Sequence, residues 1–209
     1  MKLDITNQER ELFEVIHTAA DYLHQDVYVV GGFVRDRILG IPCKDLDFVT
    51  VGDGPALAEE VSRRLGAAAS DLSVFKTFGT AMIRYKDLEL EFVGARKESY
   101  NTDSRKPDVE AGTLEDDQLR RDFTINALAA KLQGDGIYTI IDPFNGLDDL
   151  RDGLIITPLD PHQTFSDDPL RMMRAIRFAS QLSFRIDQVT LDAITSMRER
   201  ITIVSMERI

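Results

Sequence analysis

Residues 26–51 constrain the fold of this chain more than any other segment. The β-rich run DVYVV, with four residues of high β propensity after Asp26, ends at Gly31 and Gly32, and a short helical pattern follows. A second strand pattern, DLDFVTV, then begins at Asp45. Because side chains two residues apart in a strand lie on the same face of a sheet, the sequence predicts that Asp45 and Asp47 present two carboxylates side by side.

This arrangement suits the binding of a nucleotide and a divalent cation. Paired carboxylates are typical ligands of Mg²⁺, and such ions clamp the reacting oxygens in phosphoryl transfer. Gly32 lets a backbone N–H approach a phosphate, and the helix that follows offers its positive N-terminal end. Arg35 in that helix could donate to triphosphate oxygens. Asp-x-Asp or Gly-Gly alone is more often structural, but the two together in this order are typical of polymerase-β-type nucleotidyltransferases.

A third carboxylate is expected from a neighbouring strand. The segments TAMIRY and LELEFV, joined by Lys86-Asp87, predict a hairpin that carries Glu89 and Glu91. Glu91 is preferred because an arginine, Arg96, follows it after five residues, as is usual in that superfamily. Glu89 stays open as an alternative, and a solvent-facing glutamate would give the same pattern.

Three further motifs stand in a fixed order downstream: LRRDFTINA at 119–127, DPFNGLDDL at 142–150, and DDPLRMMRAIRFA at 167–179. Together with GGFVRD and DLD, they make residues 27–209 closely resemble the class II tRNA nucleotidyltransferases, or CCA-adding enzymes, and their relatives, the bacterial poly(A) polymerases. The resemblance implies transfer of C and A from CTP and ATP to the 3′ end of tRNA. It also implies Mg²⁺ as the cofactor.

The resemblance assigns roles to individual residues. Asp45 and Asp47 match the Mg²⁺ ligands, and Glu91 would complete the catalytic carboxylates. The nucleotide-binding positions match Gly32, Arg35, Arg121, Asp168, Arg171, Arg174 and Arg177.

The last of these motifs also has a physical rationale. Asp168 precedes Pro169 as a helix cap would, and Arg171 lies one turn further on. A carboxylate can only accept hydrogen bonds and a guanidinium can only donate them, so this pair complements cytosine and adenine but not uracil or guanine. Each buried group left unpaired would cost about 1–3 kcal/mol. In this chain Asp167 stands where the family usually has Glu, which weakens the expected orientation of Arg171.

The pattern of elements predicts an α+β fold with a mixed sheet. Residues 1–157 are predicted to form the catalytic head, and residues 158–209 the start of an all-helical neck. Residues 96–112 are polar and without periodicity, which predicts a long loop that could close over the site with Arg105 and Lys106. A helix is expected from Leu114 toward Ala130. Because a helix predicted after Ser205 stops within its first turn, two interpretations stay open: the chain is a fragment without the tRNA-binding body and tail, or its C-terminus is unusually abrupt.

Composition limits the remaining alternatives. The net charge of −11 excludes a protein that coats nucleic acid through an excess of positive charge. No run is long enough to span a membrane, no secretory signal begins the chain, and its single cysteine, Cys43, fits a reducing compartment. We therefore expect a cytoplasmic protein with no membrane partner, and its oligomeric state stays open. A poly(A) polymerase, an A-adding enzyme and a nucleotide-binding domain without transferase activity remain alternatives.

Overall fold

A computed structural model describes residues 3–70, 72–75, 79–99, 107–134 and 139–208. Within these ranges the chain forms α-helices, strands and short 3₁₀ turns. The strands are β1 Asp26–Val30, β2 Asp45–Val51, β3 Ser73–Phe75, β4 Thr80–Tyr85, β5 Leu88–Gly94, β6 Arg96–Ser99, β7 Asp108–Ala111, β8 Ala129–Lys131, β9 Thr139–Ile141, β10 Leu154–Ile155 and β11 Arg185–Ile186. The α-helices are α1 Asn7–Tyr22, α2 Gly32–Leu39, α3 Gly54–Leu65, α4 Leu114–Leu119, α5 Gly146–Asp152, α6 Pro161–Asp167, α7 Leu170–Leu182 and α8 Gln188–Met197. The 3₁₀ turns are Gly66–Ala68, Thr124–Asn126, Arg198–Ile203 and Met206–Arg208.

The main sheet is mixed, as the sequence predicts. Its seven strands follow the order β3-β4-β5-β2-β1-β8-β9, so β2 lies at the centre. β2 and β5 run parallel, and the other neighbouring pairs run antiparallel. In the parallel register Asp45 lies opposite Glu89, and Asp47 lies opposite Glu91. Since residues in register share a face, all four carboxylates lie on one face of the sheet.

The opposite face of the sheet carries the main hydrophobic core. Phe48 of β2 stacks on Phe92 with 5.1 Å between ring centroids, and Phe13 of α1 meets Phe48 edge-on at 5.8 Å. A smaller apolar cluster covers the other face and consists of Tyr28, Val30, Val49, Ala95 and Ala129. The alternation along β2 therefore buries Leu46 and Phe48 in the main core and places Val49 on the other face, together with the acidic pair.

Local signals in the sequence account for several element boundaries. Thr6 and Glu9 form a capping box at the start of α1, in which the Thr6 amide donates to Glu9 Oε2 at 2.7 Å. Gly40 ends α2 in a left-handed conformation at φ +70°. The predicted hairpin between β4 and β5 is confirmed, and its turn residue Lys86 has φ +54°.

The prediction of an uninterrupted loop over residues 96–112 is wrong. β6 and β7 pair as an antiparallel ribbon, with Lys97 opposite Glu110. The ribbon buries little of its surface, so its sequence can be mostly polar. Apolar and polar residues therefore do not alternate along it, and the sequence does not mark it as a strand pair. Arg105 and Lys106, which were expected to close over the site, lie outside the described residues.

The helix expected from Leu114 toward Ala130 is also shorter than predicted. α4 ends at Leu119, a 3₁₀ turn follows, and β8 begins three residues after that turn. Asp122 causes part of this change because its Oδ1 accepts from the Phe123 amide at 2.9 Å and from Asn126 Nδ2 at 3.0 Å. An aspartate that bonds to nearby backbone competes with helix continuation.

The helical segment after residue 158 packs directly against the sheet-bearing part of the chain. Ala175 of α7 belongs to the main hydrophobic core, and Phe178 meets Phe123 edge-on at 5.9 Å. One short strand, β11, was not expected in this segment and pairs in parallel with β10. In the described part of the chain, no helix has the length and apolar composition needed to cross a membrane.

Candidate active site

The acidic pair, Asp45 and Asp47, lies at the start of the central strand, β2. Asp45 is exposed, whereas Asp47 is half-buried. Burial raises the pKa of Asp47, the Arg121 guanidinium lowers it, and the neighbouring Asp45 carboxylate raises it further. The result is a pKa above the ordinary value, which shows that Asp47 holds its negative charge at an energetic cost.

Glu91 and Glu89 lie beside the acidic pair in different surroundings. Glu91 lies opposite Asp47, and Glu89 lies opposite Asp45. Burial raises the pKa of Glu91, Asp47 raises it further, and Arg96 lowers it. Glu89 instead lies beside Arg84 in an ion pair at the more exposed end of the row. The geometry therefore favours Glu91 over Glu89 as the third carboxylate.

The donor set fits Mg²⁺ bound together with a substrate. Across the described ranges, no three His, Cys, Asp or Glu side chains converge closely enough to hold a metal ion by themselves. Mg²⁺, however, commonly binds through one or two carboxylates together with substrate phosphates and water. Asp45 and Asp47 supply two hard oxygen ligands on one face, and a cation there would favour the charged form of Asp47, whose pKa is raised by burial and, to a smaller extent, by the Asp45 carboxylate.

The Gly-Gly turn lies between β1 and α2. Gly31 has φ +66°, a conformation that residues with a Cβ rarely adopt, and a Cβ there would lie 2.9 Å from Arg121 Nη1. Gly32 is the first residue of α2, where a Cβ would lie at an ordinary 3.7 Å from Arg35 Nη2. Gly31 is thus the glycine that the backbone requires, although the sequence motif drew attention to Gly32.

Arg35 is held by protein groups instead of projecting freely toward a phosphate. Its Nε donates to Asp36 Oδ1 at 2.8 Å, and its Nη1 donates to Asn126 Oδ1 at 2.6 Å. The guanidinium also lies over the Phe178 ring, 5.0 Å from its centroid. Arg35 is 8% exposed, so its role is to hold neighbouring side chains in place rather than to bind phosphate directly.

Arg121 is oriented by a fully buried carboxylate. Its Nη2 and Nε both donate to Asp117 Oδ2, at 2.9 and 3.2 Å, and its Nη1 donates to the Asn126 carbonyl at 3.4 Å. Asp117 also pairs with Arg120. Burial raises the pKa of Asp117, yet attraction to Arg121 and Arg120 outweighs it and keeps the pKa below the ordinary value.

The structure brings four predicted residues into one cleft of about 220 Å³. The cleft is lined by Arg120, Arg121, Asp122, Asp168, Arg171 and Arg174. It lies where α4 and the turn after it meet the start of α7. Arg177 is exposed one turn further along α7 and is not among the lining residues.

The base-reading pair predicted from the sequence is rigidly placed. Asp168 Oδ1 accepts from the Leu170 amide at 3.0 Å, but α7 begins at Leu170 with Pro169 as its N-cap, one residue later than the sequence predicts. Arg171 Nη2 donates to the Arg120 carbonyl at 2.7 Å, and its Nη1 donates to the Thr164 carbonyl at 3.5 Å. Burial raises the pKa of Asp167, and Arg171 lowers it, so Asp167 acts on Arg171 through charge. Backbone carbonyls thus supply much of the orientation that the family's longer glutamate was expected to give.

Sequence reasoning missed three polar residues that hold these arginines. Asp117 precedes Arg120 and Arg121 by three and four residues, a helical spacing that could have revealed the ion pairs. Asp122 and Asn126 gave no comparable signal, because their partners Arg35 and Arg174 are distant in sequence.

A mixed sheet with an acidic pair on its central strand, next to an arginine-lined cleft, defines the class of nucleotidyltransferase heads. Comparison with known proteins narrows this class. The family model described as the poly A polymerase head domain matches residues 27–156, and the chain belongs to this family.

Similar proteins agree with this membership. An A-adding tRNA nucleotidyltransferase from Aquifex aeolicus is 44% identical over 163 residues, which cover 78% of this chain and 19% of that protein. A CCA-adding enzyme from Levilactobacillus brevis is 40% identical over 210 residues, which cover 100% of this chain and 50% of that protein. The chain therefore spans half or less of the length of these two relatives.

Solved structures show the same fold. A tRNA-processing enzyme in an apo form matches with a TM-score of 0.85 at 33% identity, covering 100% of this chain and 52% of that one. A CCA-adding enzyme in complex with CTP matches with a TM-score of 0.83 at 33% identity, covering 98% of this chain and 45% of that one. Both likenesses extend through the helical segment.

Proposed function

We propose that this chain is the catalytic part of a CCA-adding tRNA nucleotidyltransferase, which transfers nucleotides from CTP and ATP to the 3′ end of tRNA without a nucleic-acid template. The observation that carries the proposal is the cleft in which Arg121, Asp168, Arg171 and Arg174 converge. The family membership and the names of the similar proteins support it. The single cysteine favours a cytoplasmic location for this activity.

The reaction forms one bond and breaks one. The 3′ oxygen of the RNA attacks the α-phosphorus, the bond from that phosphorus to the bridging β-oxygen breaks, and pyrophosphate leaves. Asp45 and Asp47 would hold Mg²⁺ together with the phosphates, and the bound ion supplies charge neutralisation and a lower pKa for the attacking hydroxyl. Glu91 lies opposite Asp47 with a raised pKa, which suits a carboxylate that accepts the hydroxyl proton.

The triphosphate would lie between the start of α2 and the cleft. Arg121 offers a guanidinium fixed by Asp117, and Gly31 leaves the space that a Cβ would fill beside Arg121 Nη1. Arg174 contributes a second, 41% exposed guanidinium from α7. Gly32 adds the N-terminal end of α2, which favours bound phosphate.

Base selection is assigned to Asp168 and Arg171. The Asp168 carboxylate accepts from the exocyclic amino group of cytosine or adenine, and Arg171 donates to the adjacent ring acceptor. Uracil and guanine would place a carbonyl against the carboxylate and an N–H against the guanidinium. Because Arg171 is 9% exposed and bonded to two backbone carbonyls, it cannot turn away to accommodate them.

A second candidate function is addition of adenosine alone. It is favoured by the relative from Aquifex aeolicus, which is named as A-adding and is 44% identical. The two functions share the carboxylates and the cleft, so they differ only in the nucleotides accepted. A poly(A) polymerase would likewise use ATP far better than CTP.

The deciding experiment measures thermal stabilisation of the chain by each of CTP, ATP, GTP and UTP in the presence of Mg²⁺. Stabilisation by CTP and ATP but not by GTP or UTP is expected, and Arg171→Ala should remove it. Arg185→Ala, which changes an exposed arginine outside the cleft, is the matched control. A response to ATP alone would favour A addition, and no response to any nucleotide would refute the proposal for this chain.

A further inference from the structure

Five side chains from distant parts of the sequence form a closed ring beside the cleft. Arg35 Nη1 donates to Asn126 Oδ1 at 2.6 Å, and Asn126 Nδ2 donates to Asp122 Oδ1 at 3.0 Å. Arg174 Nε donates to Asp122 Oδ2 at 2.6 Å. The guanidinium carbons of Arg174 and Arg35 lie 5.1 and 5.0 Å from the centroid of the Phe178 ring, which closes the ring.

The chemistry of the ring requires a neutral amide at position 126. Asn126 accepts from a cation on one side and donates to an anion on the other, and its side chain supplies both functions. An aspartate there would still accept from Arg35 but would place a second carboxylate against Asp122. A basic residue would repel Arg35 instead.

The aromatic member holds two like charges in place. Phe178 presents its π system to both guanidiniums, and each cation–π contact is attractive. The two arginines come from different elements, Arg35 from α2 and Arg174 from α7. Phe178 and Asn126 together fix where Arg174 lies relative to the Gly-Gly turn at the start of α2.

We propose that Asn126, together with Phe178, is a positioning residue that acts through Arg35 and Asp122 to set Arg174 for binding the triphosphate of the incoming nucleotide. This inference rests on the proposed function. The ring contains neither Asp168 nor Arg171, so it acts on triphosphate affinity and leaves base choice unchanged. Asn126 also accepts from Arg121 through its backbone carbonyl, which a side-chain substitution retains.

The test compares Asn126→Asp with Asn7→Asp, which makes the same chemical change at an exposed position on α1. Binding of CTP and of ATP with Mg²⁺ is measured by isothermal titration calorimetry. Asn126→Asp should weaken the binding of both nucleotides by the same factor, about tenfold to a hundredfold. This is the size expected when the hydrogen bonds that link a cation to an anion through one amide are lost. In steady-state assays with tRNA, KM for the nucleotide should rise more than kcat falls. Asn7→Asp should match the unchanged chain.

Exchanging the two polar residues gives a sharper measurement. Asp122→Asn alone removes the anion that Arg174 binds, whereas the double variant Asn126→Asp with Asp122→Asn restores one amide and one carboxylate to the ring. The double variant should bind nucleotide at least about fivefold more tightly than the two separate losses multiplied together predict, because directly coupled residues are non-additive. Additive losses would overturn the proposal.

The remaining outcomes separate this inference from the function on which it rests. If the unchanged chain binds no nucleotide, the proposed function fails and the inference fails with it. If that chain binds and Asn126→Asp binds equally well, the inference alone fails. If Asn126→Asp does not fold, Phe178→Leu and Phe178→Tyr provide the test. Phe178→Leu should weaken the binding of CTP and of ATP equally, whereas Phe178→Tyr should keep it. Equal binding by the two variants would refute the role of the ring.

Discussion

Replacing Asp117 with asparagine tests how the positive side of the site is held together. Asp117 has no exposed side-chain surface and accepts from both Arg120 and Arg121, whose side chains are 19% and 17% exposed. Asparagine keeps the volume and one acceptor oxygen but removes the charge. The change therefore isolates electrostatic attraction from packing.

The expected loss of stability is large for a conservative change. Removing one partner of a buried ion pair costs about 3–5 kcal/mol, because it leaves the other charge uncompensated. Asparagine retains part of the hydrogen bonding and both arginines reach some solvent, so we expect a loss of about 2–3 kcal/mol. Asp148→Asn is the matched control, since Asp148 pairs with Arg151 at the same helical spacing but both side chains are more than 60% exposed. Its loss should be at most about 0.5 kcal/mol.

The stability difference should also depend on pH with a definite sign. Attraction to Arg121 and Arg120 keeps the pKa of folded Asp117 below its ordinary value of 3.8. A depressed pKa gives stability that is fully present above that ordinary value and is lost as the pH falls through the folded pKa. The gap between the parent chain and Asp117→Asn should therefore be constant from pH 8 to 5 and narrow only below about pH 4.

Urea unfolding followed by far-ultraviolet circular dichroism measures these quantities, because the chain has no tryptophan to report by fluorescence. Equal denaturant slopes in all variants would justify comparison of the free energies of unfolding. A loss below about 1 kcal/mol for Asp117→Asn, or one no larger than that of Asp148→Asn, would refute the reasoning from burial. A gap that widens on acidification would refute the direction of the pKa shift.

Three further predictions concern the proposed chemistry. Asp45→Ala and Asp47→Ala should each abolish nucleotide incorporation into tRNA while circular dichroism shows an unchanged fold, and turnover in either variant would contradict the Mg²⁺ assignment. Asp168→Ala should relax the preference for C and A in incorporation assays more than it weakens triphosphate binding, so an unchanged preference would count against base reading by this carboxylate. Gly31→Ala should lower nucleotide affinity at least about tenfold in titration calorimetry, because it strains a positive φ and crowds Arg121, and normal affinity would show that the turn adjusts freely.

Much of the fold could be predicted from short-range signals in the sequence. The boundaries of β1 and β2 follow β-forming runs that end at turn residues, and α1 begins at a capping box. The ribbon formed by β6 and β7 could not be found in this way, because two exposed strands that pair with each other bury too little to impose an alternation of apolar residues. Pairing between two exposed strands therefore leaves no local pattern of apolar residues.

The candidate site likewise contains residues that a local motif predicts and residues that only the folded structure identifies. Residues whose chemistry is carried by a compact motif, such as Asp45, Asp47 and Arg171, were predicted by position. Residues that act by holding others, such as Asp117 and Asn126, could be identified only after folding placed their partners beside them. A motif can therefore predict which groups would meet a substrate, but the groups that fix their orientation are distributed over the chain.

Net charge illustrates why whole-chain properties and site properties must be argued separately. The chain carries a charge of −11, yet the residues lining the cleft comprise four arginines and two aspartates. A cleft walled by protein focuses the field of the charges nearest to it, and charges beyond about 10 Å through salt solution are largely screened. A triphosphate that enters this cleft would therefore meet a positive site, although the net charge of these 209 residues is negative. The acidic composition excludes binding of nucleic acid by a basic coat, but it places no restriction on a nucleotide held by arginines that buried carboxylates keep in position.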